Sequence, residues 1–321
     1  MIKRFLAAAL LAAVAISDAW AQAYPVRPVT FIYPYAAGSV LDVAWRRILE
    51  EAGKHLGQPI VLDNRAGGGG RTGFSTVMNA RPDGYTIGQG SNALSVIQPL
   101  IDPARFNIVA GEHYTPIALA MDINLVLVAR PSAPFKTFAQ LVAAAKANPG
   151  KLNAGSSGPG TATHLGLALL NRMAGIDIMH VPYKGNAPAL QALMSGEIDV
   201  MFTDAAALPF VQSGKLIPLA VGAEERWAIF PGVPTIAESG YPKFSNSSWT
   251  GIVGPKGLPP EIAGKLNAAF NAALNTPALR TRLEADGWTI LGGNADAVFK
   301  RIKIDTDTYR PIIRDANITM D

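Results

Sequence analysis

The sequence predicts an α/β protein of two lobes, and three observations carry that prediction. Short β-branched and apolar runs alternate with amphipathic segments of helical length along most of the chain. At 321 residues the chain is well beyond the ~100–150 typical of one domain. A Pro- and Gly-rich stretch then interrupts the alternation before a further strand-like run begins at residue 247.

The elements follow in order. Residues 1–23 (MIKRFLAAALLAAVAISDAWAQA) carry the cations Lys3 and Arg4, an apolar run from Phe5 to Ile16 and the small-x-small stop Ala19-Trp20-Ala21. That is the layout of a secretory signal peptide, with an apolar run too short for the ~20 residues of a membrane span. Cleavage is expected after Ala21, or after Ala23 if Ala21-Gln22-Ala23 is the stop, giving an exported chain. VTFIYPY (29–35) reads as a strand. Leu41, Ala44/Trp45, Ile48/Leu49, Ala52 and Leu56 then repeat at helical spacing over 40–56. PIVLDN (59–64) is a strand, followed by a Gly-rich loop, a helix to about Ala80, the turn Pro82-Asp83-Gly84 and the strand YTIGQGS (85–91).

A second run starts at NLVLVA (124–129) and passes through a helix at 137–147, LNAGSS (152–157) and a helix at 162–173. It continues with IMHVPY (178–183), a helix at 187–195, IDVMFTD (198–204), a helix at about 205–213 and LIPLAVG (216–222). SSWTGIVGP (247–255) is one more strand, with helices at 260–275, 276–286 and 295–314. This places lobe 1 at 24–122 and 247–321 and lobe 2 at 123–246, with crossings near 118–124 and 243–250.

Composition narrows the function. Hydrophobic residues make up 49% and charged residues 16%, which fits large cores and little disorder. The absence of Cys removes disulfides, thiolate nucleophiles, Cys-based zinc sites and a lipid-bearing lipobox cysteine. Net charge is +4, with Lys and Arg scattered and densest at Arg46-Arg47 and Lys300-Arg301. No basic stripe with interleaved aromatics is present, so no nucleic-acid partner is expected.

In open α/β sheets, ligands sit at the carboxyl ends of strands, before helix N-termini whose free N–H groups and dipole attract anions. Four loops qualify. The first is Pro34-Tyr35-Ala36-Ala37-Gly38-Ser39, where Ser39 and Asp42 also fit a plain capping role. The second is Gly90-Ser91-Asn92. The third, Gly155 to His164, combines Gly with Ser156, Ser157, Thr161 and Thr163 and opens a helix. The fourth is Phe202-Thr203-Asp204, with Asp204 as an N-cap. Gly68-x-Gly70-x-x-Gly73 matches a dinucleotide fingerprint in letters only. It is not in the first βα turn, and no acidic residue stands at the required offset. The four histidines, His55, His113, His164 and His180, form no H-E-x-x-H pattern, and only His164 lies in a candidate loop.

Several stretches together resemble one family. They include YPVRPVTFIYPYAAGSVLDVAWR, LGQPIVLDNRAGGGGRTG, RPDGYTIGQGS, ANPGKLNAGSSGPGTATHL, MHVPYKGNAPALQALMSGEIDVMF and PGVPTIAESGYP. They are similar to the Bug (TctC-like) substrate-binding proteins of tripartite tricarboxylate transporters, in the family's order across essentially the whole mature chain. The resemblance implies a type II periplasmic-binding-protein fold, two lobes closing on a small organic carboxylate held by amides, hydroxyls and waters. It implies a periplasmic monomer that works with a membrane permease, without cofactor, metal or catalysis. Carried over by motif, Gly38, Ser39 and Asp42 belong to the first-loop site, and Ser91 and Asn92 to the third-strand loop. Ser156, Ser157, Gly158, Thr161 and Thr163 belong to the second-lobe seat, and Asp204 to its edge. Tyr35, Ala37 and His164 join them as neighbours in the same loops.

The chain departs from the family pattern P-F-P-P-G-G-x-x-D at Ser39 and at the apolar pair Val40-Leu41. An aromatic or longer apolar carboxylate would suit such a wall. Two other readings stay open at this point: a sensory receptor docking on a sensor kinase, and a secreted enzyme on the same fold.

Overall fold

A computed structural model describes residues 24–319, so the signal-peptide reading of residues 1–23 lies outside the described residues. The first elements are β1 (Val29–Tyr33), α1 (Val40–Leu56), β2 (Ile60–Asn64), α2 (Arg71–Met78), β3 (Thr86–Ser91), α3 (Gln98–Ile101) and β4 (Tyr114–Asn124). Then come β5 (Val126–Ala129), α4 (Phe138–Ala147), β6 (Asn153–Ser156), α5 (Ala162–Ala174), β7 (Met179–Pro182), α6 (Asn186–Ser195), β8 (Val200–Thr203), α7 (Leu208–Gln212) and β9 (Ile217–Val221). The chain ends with β10 (Ser247–Pro255), α8 (Pro260–Leu274), α9 (Pro277–Ala285), β11 (Trp288–Ile290) and α10 (Ala295–Asp315).

These strands form two separate sheets, one per lobe. The first runs β11-β4-β10-β3-β1-β2 and the second β7-β6-β8-β5-β9. In the first, β1 is parallel to β2 and β3, while β10 is antiparallel to β3 and β4. In the second, β6 is parallel to β7 and β8, and β5 is antiparallel to β8 and β9. The carboxyl ends of the parallel strands therefore carry the loops at 34–39, 92, 157–161, 183–185 and 204.

Local chemistry explains the elements that aim those loops. α1 starts because the Ser39 hydroxyl accepts the Asp42 N–H at 3.0 Å, and it stops at Gly57, whose φ of 81° suits only glycine. Its stripe Ala44, Trp45, Ile48, Leu49 and Ala52 is buried, with Trp45 packed on Phe31 of β1 at 4.7 Å. Each large apolar side chain of that stripe contributes roughly 1.5–3 kcal/mol. α5 repeats the plan with Thr161 as cap and Gly175 (φ 58°) as stop.

The chain crosses between lobes through Leu125, the single residue between β4 and β5, and returns between β9 and β10. The crossings are tied together, since Gly222 N–H donates to Leu125 O and Asn246 N–H donates to Gly222 O, both at 2.7 Å. Arg301 of α10 braces the same place, donating to Asp122 and Asp305 at 3.3 Å and to Ser247 Oγ at 2.6 Å. α10 does not belong to one lobe alone. It packs along β4, while Tyr309, Ile312 and Ile313 sit in the core around Leu165 and Leu170 of α5.

Two strands escape the sequence reading. β4 contains Pro116, Ala118 and Ala120 and is buried on both faces, so it shows no alternation. β11 spans only Trp288–Ile290.

Candidate ligand-binding cleft

The first wall is built by the β1–α1 loop. Tyr33 and Ser39 share a hydroxyl–hydroxyl hydrogen bond of 2.9 Å, and the rings of Tyr33 and Tyr35 meet edge-on at 5.6 Å. The Tyr35 hydroxyl engages Ser91 at the end of β3, and burial raises both phenols, Tyr33 to about 12. The glycine run makes room for this loop. A Cβ at Gly73 would stand 2.7 Å from Pro34 Cα, and one at Gly70 would stand 3.3 Å from the Tyr35 ring. The dinucleotide-like glycines thus serve close packing of α2 against the loop.

Asp42 holds the loop from behind. Its carboxylate accepts from Gly38 N–H at 3.1 Å, Asn64 Nδ2 at 2.9 Å and Arg46 Nε at 3.1 Å. Burial acts to raise this carboxyl, but Asn64, Gly38 and Arg46 outweigh it and hold it below its usual value. α1 begins with spare donors. Asp42 N–H is capped by Ser39 Oγ and Val43 N–H by Ser39 O, whereas Val40 and Leu41 N–H meet no acceptor among the described residues.

The second wall comes from lobe 2. Asp204 caps the turn at 205–207, its Oδ1 accepting from Ala206 N–H at 3.0 Å and Asn186 Nδ2 at 3.1 Å. Asn186 Oδ1 in turn accepts from Thr203 Oγ1 at 3.1 Å. Burial pushes the Asp204 carboxyl up. The walls touch at one edge, where Trp227 Nε1 donates to Gly287 O at 3.0 Å. Gly287, at φ 95°, is so close to lobe 2 that a Cβ would stand 2.8 Å from Ala205 Cβ.

Between the walls lies a cleft of about 750 Å³. Tyr33, Tyr35, Phe210, Trp227 and Trp288 give it aromatic faces, with Val40, Leu41, Leu190 and Met194 completing an apolar lining. Asp204 and Asp286 are the charged side chains on it, and Asp286 is paired with Arg47 and Arg282.

Of the residues nominated from the sequence, Tyr35, Ser39 and Asp204 line this cleft. Ala37 and Gly38 lie in the same loop, and Asp42 anchors it from inside. Ser91 meets the Tyr35 hydroxyl. Asn92 is fully buried and ties β3 to β10 by donating to Ser247 O at 3.3 Å and accepting from Ser248 Oγ at 2.9 Å.

Ser156, Ser157, Gly158, Thr161, Thr163 and His164 do not line the cleft. Their hydroxyls bond each other, the loop backbone and His180. Ser156 Oγ accepts from Gly158 N–H at 3.1 Å and bonds His180 Nε2 at 2.6 Å. Thr163 Oγ1 accepts from Ser157 N–H at 2.9 Å, and Thr161 donates to Gly158 O at 2.7 Å while capping His164 N–H. His164 and His180 stack at 3.7 Å with rings 6° apart. Burial, then the neighbouring His180, holds His164 down at about 4, and burial lowers His180.

Sequence reasoning missed Asn186, Leu190, Met194, Phe210, Trp227 and Trp288. Asn186 was accessible in principle, since it follows β7 at the same sheet end as the loops chosen. The two tryptophans are far apart in sequence, Trp227 in the β9–β10 connection and Trp288 at the start of β11, and nothing local marks them.

Two α/β lobes joined by paired crossings, with a ligand-sized cleft between them, define a solute-binding protein of the periplasmic type. The chain belongs to the tripartite tricarboxylate transporter family receptors (TctC), whose profile matches residues 44–318. BugT of Bordetella pertussis is 33% identical over 298 residues, covering 92% of this chain and 91% of BugT. R. palustris Rpa4515, solved with adipate, superposes with a TM-score of 0.80 at 30% identity, covering 92% of this chain and 99% of that one. MatC (Rpa3494) from Rhodopseudomonas palustris, solved with malate, gives 0.76 at 32% identity, with coverages of 90% and 100%.

Proposed function

We propose that this chain is a periplasmic receptor that captures a small organic acid with an apolar or aromatic body and hands it to the permease of a tripartite tricarboxylate-type transporter. One observation carries the ligand class. The unclaimed N–H groups of Val40 and Leu41 stand at the positive end of a long helix, on the rim of a cleft otherwise lined by aromatic and aliphatic side chains. A carboxylate seats on those amides without needing a cation, and the rings of Tyr33, Tyr35, Trp227 and Trp288 cover the body. The neighbours solved with adipate and malate support an acid as ligand. The paired crossings at Leu125 and Gly222 are where the lobes hinge around it.

Calorimetry against benzoate-type acids, adipate and citrate tests the reading. Acids with an apolar body bind, and citrate does not, because its extra carboxylates find no basic side chain on the walls and lose hydration. Tight binding of citrate with no response to any benzoate-type acid overturns it.

A further inference from the structure

We propose that Asp204 selects ligands carrying an ammonium group at the end opposite the carboxylate, so that the preferred substrates are amphoteric acids with an apolar body. The proposal rests on the cleft being the organic-acid site argued above.

The charge inventory leads there. Of the two acidic side chains on the cleft, Asp286 is neutralised by Arg47 and Arg282, whereas Asp204 has no basic partner among the described residues. Both donors that Asp204 receives from other residues, Asn186 Nδ2 and Ala206 N–H, go to Oδ1. Oδ2 receives none from any other described residue. No Lys or Arg lines the cleft to serve a second anion.

The two lobes present different charges to the cleft. Lobe 1 offers the N–H donors of α1 and no unpaired charge; lobe 2 offers the α6 N-terminus and, beside it, a carboxylate oxygen of Asp204 that no other described residue engages. A dianion would set its second carboxylate against Asp204 in a poorly solvated space, which is admitted only if one of the two takes up a proton. An ammonium group instead neutralises Asp204 and finds the indole faces of Trp227 and Trp288, which attract cations. Burial already pushes the Asp204 carboxyl up, so an incoming cation relieves a cost that the empty cleft carries.

Three acids with the same benzoate end test this: 4-(aminomethyl)benzoate, 4-ethylbenzoate and terephthalate, each titrated calorimetrically into the protein and into Asp204→Asn. The ammonium compound should bind at least ~10-fold tighter than terephthalate, the scale of one hydrogen bond to a charged group. Asp204→Asn keeps the capping oxygen. It should erase that preference, the ammonium compound losing at least ~10-fold more affinity than 4-ethylbenzoate does, since 4-ethylbenzoate makes no charged contact to lose. Terephthalate binding as tightly as the ammonium compound to the wild type, or an unchanged preference in Asp204→Asn, overturns the proposal while 4-ethylbenzoate binding leaves the organic-acid reading standing. Failure of all three to bind overturns both.

Discussion

The β1–α1 loop of lobe 1 and the β6–α5 loop of lobe 2 are built from the same parts and do opposite things. Each follows a parallel strand, each opens a helix with a hydroxyl cap, and each is rich in small residues. Each leaves its first two helical N–H groups, Val40 and Leu41 or Ala162 and Thr163, without an acceptor among the described residues, but only the first lines the cleft. The second folds its hydroxyls inward, where Thr163, His180 and the carbonyl of Gly158 take every one. Hydroxyl content therefore does not identify a ligand seat. What decides is whether partners from the same loop and the next strand lie within reach, and His180 of β7 supplies the second loop with one.

The sharpest way to break this comparison is acid. If the β6–α5 loop is a self-contained bundle, it depends on neutral histidines. His164 titrates near 6.5 when unfolded and at about 4 in the fold, so between those values the unfolded chain binds more protons. Its contribution is complete above pH 6.5 and is lost as pH falls through about 4. A shift of this size corresponds to roughly 3 kcal/mol. Asp305 works in the opposite sense, because burial raises it to about 6, so its contribution is present below the ordinary aspartate value and lost as pH rises through about 6. The histidine effect is therefore read as a difference. Denaturant melts at pH 7 and 4.5 should show wild type losing more stability on acidification than His164→Asn. Equal losses mean that the stacked pair does not hold the loop.

A smaller effect sharpens the comparison at the caps themselves. Ser39→Ala and Thr161→Ala each remove a helix N-cap and should each cost about 1 kcal/mol in a denaturant melt. They should part company in binding. Ser39→Ala frees Asp42 N–H and loosens Tyr33 at the cleft wall, so affinity for a benzoate-type acid falls several-fold. Thr161→Ala should leave affinity within about 2-fold, because its bonds close on Gly158 and His164. The reverse pattern would move the seat to lobe 2.

Much of the fold was legible because its local signals agree with its tertiary needs. α1 carries its cap, its stripe and its Gly57 stop in sequence order, and it spans the predicted residues 40–56. β4 was not legible. Ala118, Ala120 and Met121 are weak strand formers whose place is set by burial between β10 and β11, a fact of tertiary packing. The site divides the same way. Tyr35 and Ser39 could be named because the rule about carboxyl strand ends points to their loop. Trp227 and Trp288 could not, because only lobe docking through the Trp227–Gly287 hydrogen bond brings the β9–β10 connection and the start of β11 together at the cleft. For the hydroxyls at 156–163, a satisfied polar loop and a receptive one have the same composition, so composition alone does not decide between them.

The central claim is that the ligand's carboxylate sits on the α1 N-terminus and not on the hydroxyl loop of lobe 2. A crystal structure of the complex with a benzoate-type acid tests it most directly. The account predicts carboxylate oxygens within hydrogen-bond distance of the Val40 and Leu41 N–H groups, about 2.7–3.2 Å, with the ring among Tyr33, Tyr35, Trp227 and Trp288 and the bonds of the 156–164 loop unchanged. A carboxylate bound instead to Ser157, Thr161 and Thr163, with that loop's internal bonds opened to receive it, would contradict it.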